Sequence, residues 1–327
     1  MSVFRILVIS LCSLILAGLL MACQRAGERD VTRTEGGVMR LGSVEVVDTV
    51  ARAVAPTGRP LVVEGMRGSV RLLGADRSTA ALSFIRRGRG ESRDDGQEVL
   101  EDISITERGT ESTYTYTLQA DRETYAAVDV RGQVPRETAL QIDRLSGTVH
   151  IEGVEGRLTI DHEHGDVEVQ DAAALVEVNI ENGDVQVGFQ SVPSEGRIRL
   201  RTANGDVGVR LPPTSSVLVD AQTNVGLIRT RGLSFTAERL KPINAGARYN
   251  AQVGDGGPTI EMRTENGSIT IQARDTTRVD TAGTAPPPTV PSTDTIFPAQ
   301  TDLDTVEADT VAPDTSMMEP DTIPESP

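Results

Sequence analysis

The chain has 327 residues, a formal net charge of -16, 3% aromatic side chains and no Trp. So negative a charge excludes nucleic acid as a partner on simple electrostatics. The length allows one large domain or two small ones, and two cysteines in all exclude a disulfide framework.

At the start, Arg5 is followed by an apolar run from Ile6 to Leu20, broken only by Ser10, Ser13 and Gly18. That is the h-region of a signal peptide. Its length falls short of the ~20 residues a permanent membrane helix needs, and Gln24, Arg25 and Glu28 follow at once, so residues 1–22 are expected to be removed. Leu20-Met21-Ala22-Cys23 resembles the bacterial lipobox, in which a peptidase cuts before a cysteine carrying diacylglycerol. The resemblance implies that Cys23 is lipidated and that a membrane is a partner through this lipid. One acyl chain binds only marginally, whereas the two or three of a lipoprotein hold firmly. Cys12 lies in the segment to be discarded, so the mature chain has no disulfide to form. Gln24 stands where the inner-membrane retention signal of enteric bacteria places Asp, which points to the outer membrane of the cell envelope.

Residues 23–41 are polar and contain glycine, and they read as a tether ahead of a folded region spanning 42–273. Leu61-Val62-Val63, Gly68-Ser69-Val70-Arg71-Leu72 and Tyr114-Thr115-Tyr116-Thr117-Leu118 are strand candidates for its N-terminal turns or cap. The charged stretch from Arg86 to Glu101 between them reads as an exposed loop.

Further on, one short unit recurs: Ser146-Gly147-Thr148-Val149, His164-Gly165-Asp166-Val167, Asn182-Gly183-Asp184-Val185, Asn204-Gly205-Asp206-Val207 and Asn266-Gly267-Ser268-Ile269, with a looser copy at Val225-Gly226-Leu227. Counting two turns and a loop into the last gap, six turns span 120 residues, or about 20 each, the signature of a stacked repeat. Apolar residues alternate on both sides of each unit, as in Val176, Val178 and Ile180 before Asn182 and Val185 and Val187 after it. Period-two alternation means strands with one buried face. Asn and Gly suit corners because both tolerate positive φ. Asn-Gly also marks two-residue hairpins, so an antiparallel β-sandwich is the alternative. A hairpin meander, however, has no reason to repeat one tetrad at one offset, whereas a solenoid needs the same corner in every turn. The expected fold is therefore all-β, a parallel right-handed β-solenoid.

Residues 274–327 carry eleven acidic side chains against Arg274 and Arg278, and nine of the 17 prolines, among repeated Asp-Thr pairs. Such a composition cannot offset its ordering entropy by burial, and it reads as a disordered acidic tail.

Val128-Asp129-Val130 leading to Val134-Pro135, then the Ser-Gly-Thr-Val and Asn-Gly-Asp-Val series, ending in Gly257-Pro258-Thr259-Ile260 and Asn266-Gly267-Ser268-Ile269, resembles the bacterial adhesin-like domain family of cell-envelope proteins. The resemblance covers about 42–273, most strongly after 126. It implies a β-helical envelope domain without catalytic residues or cofactor, whose partner is an envelope protein or glycan.

Asp166, Asp184 and Asp206 share one place in successive turns, roughly 4.8 Å apart in a solenoid. Like charges there repel by ~1 kcal/mol in water and ~3.5 kcal/mol at an effective dielectric of 20. Either each Asp caps its own corner by bonding nearby backbone, or the row holds calcium. His162 and His164, two apart on one strand, lack a third ligand and read as incidental. Arg197, Arg199 and Arg201 share the polar face before the Asn204 corner and read as a solvated face, with the holding of an acidic ligand as the functional alternative. With no thiol left and no nucleophile-elbow motif, catalysis finds no constellation. A β-helix lyase or hydrolase acting on acidic polysaccharide is the rival class, and the scarcity of aromatic platforms weighs against it.

Overall fold

The computed structural model describes residues 31–33, 39–41 and 43–274. The signal peptide, Cys23 and the acidic tail beyond Arg274 lie outside the described residues. The chain divides into two units, Met1–Arg278 and Val279–Pro327, and the described residues all belong to the first.

In chain order, β1 (Val31–Arg33) and β2 (Met39–Leu41) pair antiparallel with each other, so part of the expected tether is strand. There follow β3 (Val44–Val54), β4 (Leu61–Gly65), β5 (Val70–Ala75), β6 (Ala80–Gly90), α1 (Arg93–Asp102), β7 (Ser104–Gly109), β8 (Tyr114–Gln119) and β9 (Ala126–Pro135). The repeat region supplies β10 (Leu140–Ser146), β11 (Val149–Glu152), β12 (Leu158–His164), β13 (Val167–Ala172), β14 (Val176–Asn182), β15 (Val185–Phe189), β16 (Arg197–Asn204) and β17 (Val207–Leu211). Last come β18 (Val217–Val225), β19 (Ile228–Arg231), β20 (Phe235–Ile243), β21 (Gly246–Val253), β22 (Thr259–Asn266) and β23 (Ile269–Ala273).

Two sheets, rich in parallel pairs, face each other in a β-solenoid-like arrangement. Each recurring unit is a corner between a strand of one sheet and a strand of the other. Leu140 pairs with Leu158, and Leu158 with Val176, along the first sheet; Val149 pairs with Val167, and Val167 with Val185, along the second. These pairs are parallel, so the antiparallel sandwich does not form. Antiparallel strands are confined to the flanks, where β3 and β9 pair with β6, β7 pairs with β8, and β21 pairs with β18 and β20. Parallel stacking wins because equivalent residues of successive turns are alike. Val, Ile and Leu meet their own kind inside, and each buried side chain contributes about 1.5–3 kcal/mol.

Sequence order and stacking order part at both ends. The turn β22–β23 is inserted between β16–β17 and β18–β19, and the turn β4–β5 lies between β8–β9 and β10–β11. The 41-residue gap before Gly267 therefore holds one turn and the antiparallel excursion of β20 and β21, not the two turns expected, and the chain then returns inward. Corner chemistry explains the order. Asn266 and Ser268 can continue the polar row of the Asn204 corner, whereas Val225 and Leu227 can only end it.

The segment expected as a loop from Arg86 to Glu101 is ordered. Arg86 to Gly90 complete β6, where Arg87 and Arg89 pair with Glu45, Arg87 also with Asp129, and Arg86 with Asp48. Ser92 then opens α1 with a reciprocal capping box to Asp95, which satisfies two orphan helix donors. A Cβ at Gly88 would lie 2.3 Å from the Gly96 carbonyl oxygen, so the helix sits on the sheet glycine to glycine.

Candidate functional site

Each corner is built the same way. Gly147, Gly165, Gly183, Gly205 and Gly267 adopt φ between +127° and +157°, a region that costs strain for any residue with a Cβ. A Cβ at Gly183 would also lie 2.2 Å from the Gly165 carbonyl oxygen. Beside the glycines runs a side-chain ladder, in which the Asn266 amide donates to Asn204 (2.9 Å), Asn204 to Asn182 (3.0 Å), and Asn182 meets His164 Nδ1 at 3.1 Å. Asp166, Asp184 and Asp206 form a second ladder. Asp166 accepts from the Asp184 backbone N–H (2.9 Å), Asp184 from that of Asp206 (2.8 Å), and Asp206 from that of Ser268 (2.7 Å). Each Asp thus reaches across to the adjacent turn and does not cap its own corner, because the N–H donors of one turn point along the stack. Among the described residues no group of three or more His, Cys, Asp or Glu is arranged to hold a metal ion.

Just inside the corner runs a polar column that period-two alternation places in the core: Arg144, His162, Ile180, Thr202, Thr264 and Thr223, paired in register. All but Ile180 bond the glycine carbonyl of the neighbouring turn. Thr202 donates to Gly183 (2.9 Å), Thr264 to Gly205 (2.9 Å), Thr223 to Gly267 (2.7 Å) and Arg144 to Gly68 (3.1 Å), while His162 Nε2 lies 2.7 Å from the Gly147 carbonyl oxygen. His162 is a core histidine whose other nitrogen meets the Arg144 carbonyl at 2.9 Å, and burial holds its pKa below the ordinary value. Burial likewise pulls the Arg144 guanidinium down to about 10, with Asp129 and Asp143 acting the other way. His164 faces outward, and His150 pairs with Glu168 on the second sheet, so the three histidines share no site.

The outer face of the 11-stranded sheet carries the concentrated charge. Arg197, Arg199, Arg201 and Arg263 all lie within 4.0 Å of Glu261. Arg199 also pairs with Glu177 at 3.0 Å, and Asp220 takes Arg263 (2.8 Å) and Arg248 (3.2 Å). Burial works to raise the Glu261 and Asp220 carboxyls. Their arginine partners outweigh it and hold both below the usual range. The carboxylates lie low and the cations stand out, with Glu261 14% exposed beneath Arg197 at 56% and Arg201 at 46%. At the other half of this face, Glu64, Asp143 and Asp161 occupy neighbouring registered positions. Burial first, then Asp161 and Glu64, push the Asp143 carboxyl up. Of the arginine trio, then, the structure makes an ion-paired lattice. Glu261 and Asp220 escaped sequence reading, although Glu261 precedes Asn266 by the interval that separates Arg199 from Asn204.

The family model for Toastrack DUF4097 matches residues 95–272, more than half of the 327 residues. The chain belongs to the Toastrack DUF4097 family. The expected adhesin-like domain and this Toastrack domain agree. Among solved structures, a candidate cell adhesion protein from Clostridium sporogenes ATCC 15579 is similar at 13% identity and a TM-score of 0.42, covering 70% of this chain and all of its own. A candidate adhesin from Bacteroides fragilis NCTC 9343 is similar at 12% identity and a TM-score of 0.37, covering 69% of this chain and 97% of its own. No curated protein matches.

Proposed function

We propose that this Toastrack protein is a lipid-anchored, non-catalytic binding scaffold of the cell envelope, held through Cys23 in the outer membrane and displaying its solenoid to an envelope protein or glycan. The observation that carries the reading is Leu20-Met21-Ala22-Cys23 after an apolar run too short to span a bilayer. No helix among the described residues is long and apolar enough to cross a membrane. The adhesin-like family supports binding as the role, and the charged outer face, with its arginines tied to carboxylates, supports a surface and not a substrate cleft. The solenoid is read as a right-handed coil of about 20 residues per turn. Register offsets of 18 between β10 and β12 and between β12 and β14, and of 22 between β14 and β16, support the turn size, and parallel crossovers are right-handed in about 98% of cases.

The test is fractionation of cells making the wild type and Cys23→Ser. The wild type is expected in the detergent-extracted outer-membrane fraction as a processed form, and the variant as soluble extracytoplasmic protein or unprocessed precursor. A variant that remains processed and detergent-dependent overturns the anchor. Incubation of the protein with a panel of acidic polysaccharides tests the non-catalytic reading, which product formation would overturn.

A further inference from the structure

The order of strands in the larger sheet is β20-β21-β18-β22-β16-β14-β12-β10-β4-β8-β7, so β14 is its middle strand, with five neighbours on either side. One row of registered, outward positions crosses it: Glu64, Asp143 and Asp161 on one side, Asn179 on β14, and Arg201 and Arg263 on the other. The row continues through Gln222 to Arg248 and Lys241. Its sign changes at the centre. Read outward from Asn179, the first step is Asp161 one way and Arg201 the other, and the second is Asp143 one way and Arg263 the other.

We infer that this face is an interface with a second copy of the same chain, the two sheets packing outer face to outer face about a two-fold axis that runs along β14. Such an axis reverses the order of strands and keeps their direction, so every position of the row meets its counterpart across the centre. Asp161 then meets Arg201 of the partner, Asp143 meets Arg263 of the partner, and Asn179 meets its own copy. A two-fold interface must be self-complementary in this way, and a row antisymmetric in charge about the middle strand is the electrostatic form of that condition. Eleven strands spaced by roughly 4.8 Å make a face roughly 50 Å long and about 17 Å wide, which is ~800 Å² per partner and the size of a standard stable interface. The proposal also accounts for Asp143 and Asp161, neighbouring carboxylates on one half of a face whose other half carries arginines in excess of their carboxylates; Glu64, the third, meets Gln222 of the partner, and Glu177 on β14 meets its own copy with Arg199 beside it.

The deciding experiment swaps charges in the full-length chain in detergent, with association followed by sedimentation. Residues 161 and 201 sit two strands apart within one copy, roughly 9–10 Å, so they do not touch except across the interface. Asp161→Arg and Arg201→Asp should each weaken the dimer at least about tenfold, because each places two like-charged pairs across the axis. Mixing the two variants should restore it as a heterodimer, in which every pair is again opposite. A purely structural role for either residue cannot give that rescue. A wild type that stays monomeric at low salt, variants that fail to recover on mixing, or a chain that binds polygalacturonate as a monomer through Arg201 each overturn the proposal. None of these results bears on membrane anchoring, so the earlier reading stands or falls separately.

Discussion

The Thr202 hydroxyl donates to the Gly183 carbonyl at 2.9 Å, across the boundary between two turns. The same bond recurs from Thr264 and Thr223, and only Ile180 interrupts it. Thr202→Val keeps the shape and orphans the carbonyl, which costs about 1–3 kcal/mol. Ile180→Thr loses some apolar burial but gives the Gly165 carbonyl a donor, so it should cost less than ~1 kcal/mol. Val178→Thr, whose neighbours offer no such acceptor, should cost more. Urea unfolding of the three variants checks the ranking, and an Ile180→Thr loss as large as that of Val178→Thr would refute the column.

Gly183 combines φ of +148° with a virtual Cβ 2.2 Å from the Gly165 oxygen. Backbone must move to admit any side chain, since the obstacle is itself backbone. Gly183→Ala should therefore lower stability by more than ~2 kcal/mol. Gly58→Ala is the control, because Gly58 also has positive φ (+79°) but open space around its Cβ position, and its cost should stay near ~1 kcal/mol. Thermal melts of the pair separate steric exclusion from φ strain.

Burial holds the pKa of His162 below its ordinary value, against the carbonyls of Gly147 and Arg144 that act the other way, and this makes a pH prediction with a definite sign. The unfolded chain takes up a proton near the ordinary histidine pKa of ~6.5, while the folded chain does so only at lower pH. Stability linked to the lowered pKa of His162 is thus present above ~6.5 and is lost as pH falls toward the depressed folded value, at up to about 1.4 kcal/mol per pH unit. His162→Thr, which copies the Thr202 geometry toward Gly147, should flatten the dependence between pH 6.5 and 5. Unfolding free energies of both proteins across that window provide the measurement, and parallel curves would count against the assignment.

Alternation and the glycine corners made the two-sheet repeat legible, because a buried face and a positive φ both leave direct marks on residue type. Arg144 was legible by the same rule, two positions after Ile142 and four after Leu140, yet a charged side chain in a core column runs against the general preference for exposure. The order of turns was not legible. Spacing along the chain is blind to which turn stacks on which, and only the polar partners of Asn266 and Ser268, against the apolar Val225 and Leu227, decide that β22–β23 sits inside. The helix after Ser92 was hidden by charge, since Arg86, Arg87 and Arg89 find their carboxylates on β3 and β9, far away in sequence.

The Asp ladder bears on calcium. Each carboxylate of Asp166, Asp184 and Asp206 already accepts a backbone N–H of the next turn at 2.7–2.9 Å, so one oxygen per residue is committed and the repulsion along the row is met by amide dipoles. A row stabilised in this way needs no cation, and the melting temperature of the protein should be the same in calcium and in chelator. Asp184→Ala removes the acceptor for the Asp206 N–H at an exposed corner and should cost about 0.5–1.5 kcal/mol, as a typical hydrogen bond does, with Asp184→Asn losing less because an amide oxygen still accepts. A stabilisation by calcium that Asp184→Ala abolishes would instead show that the second oxygens of the row converge on a metal.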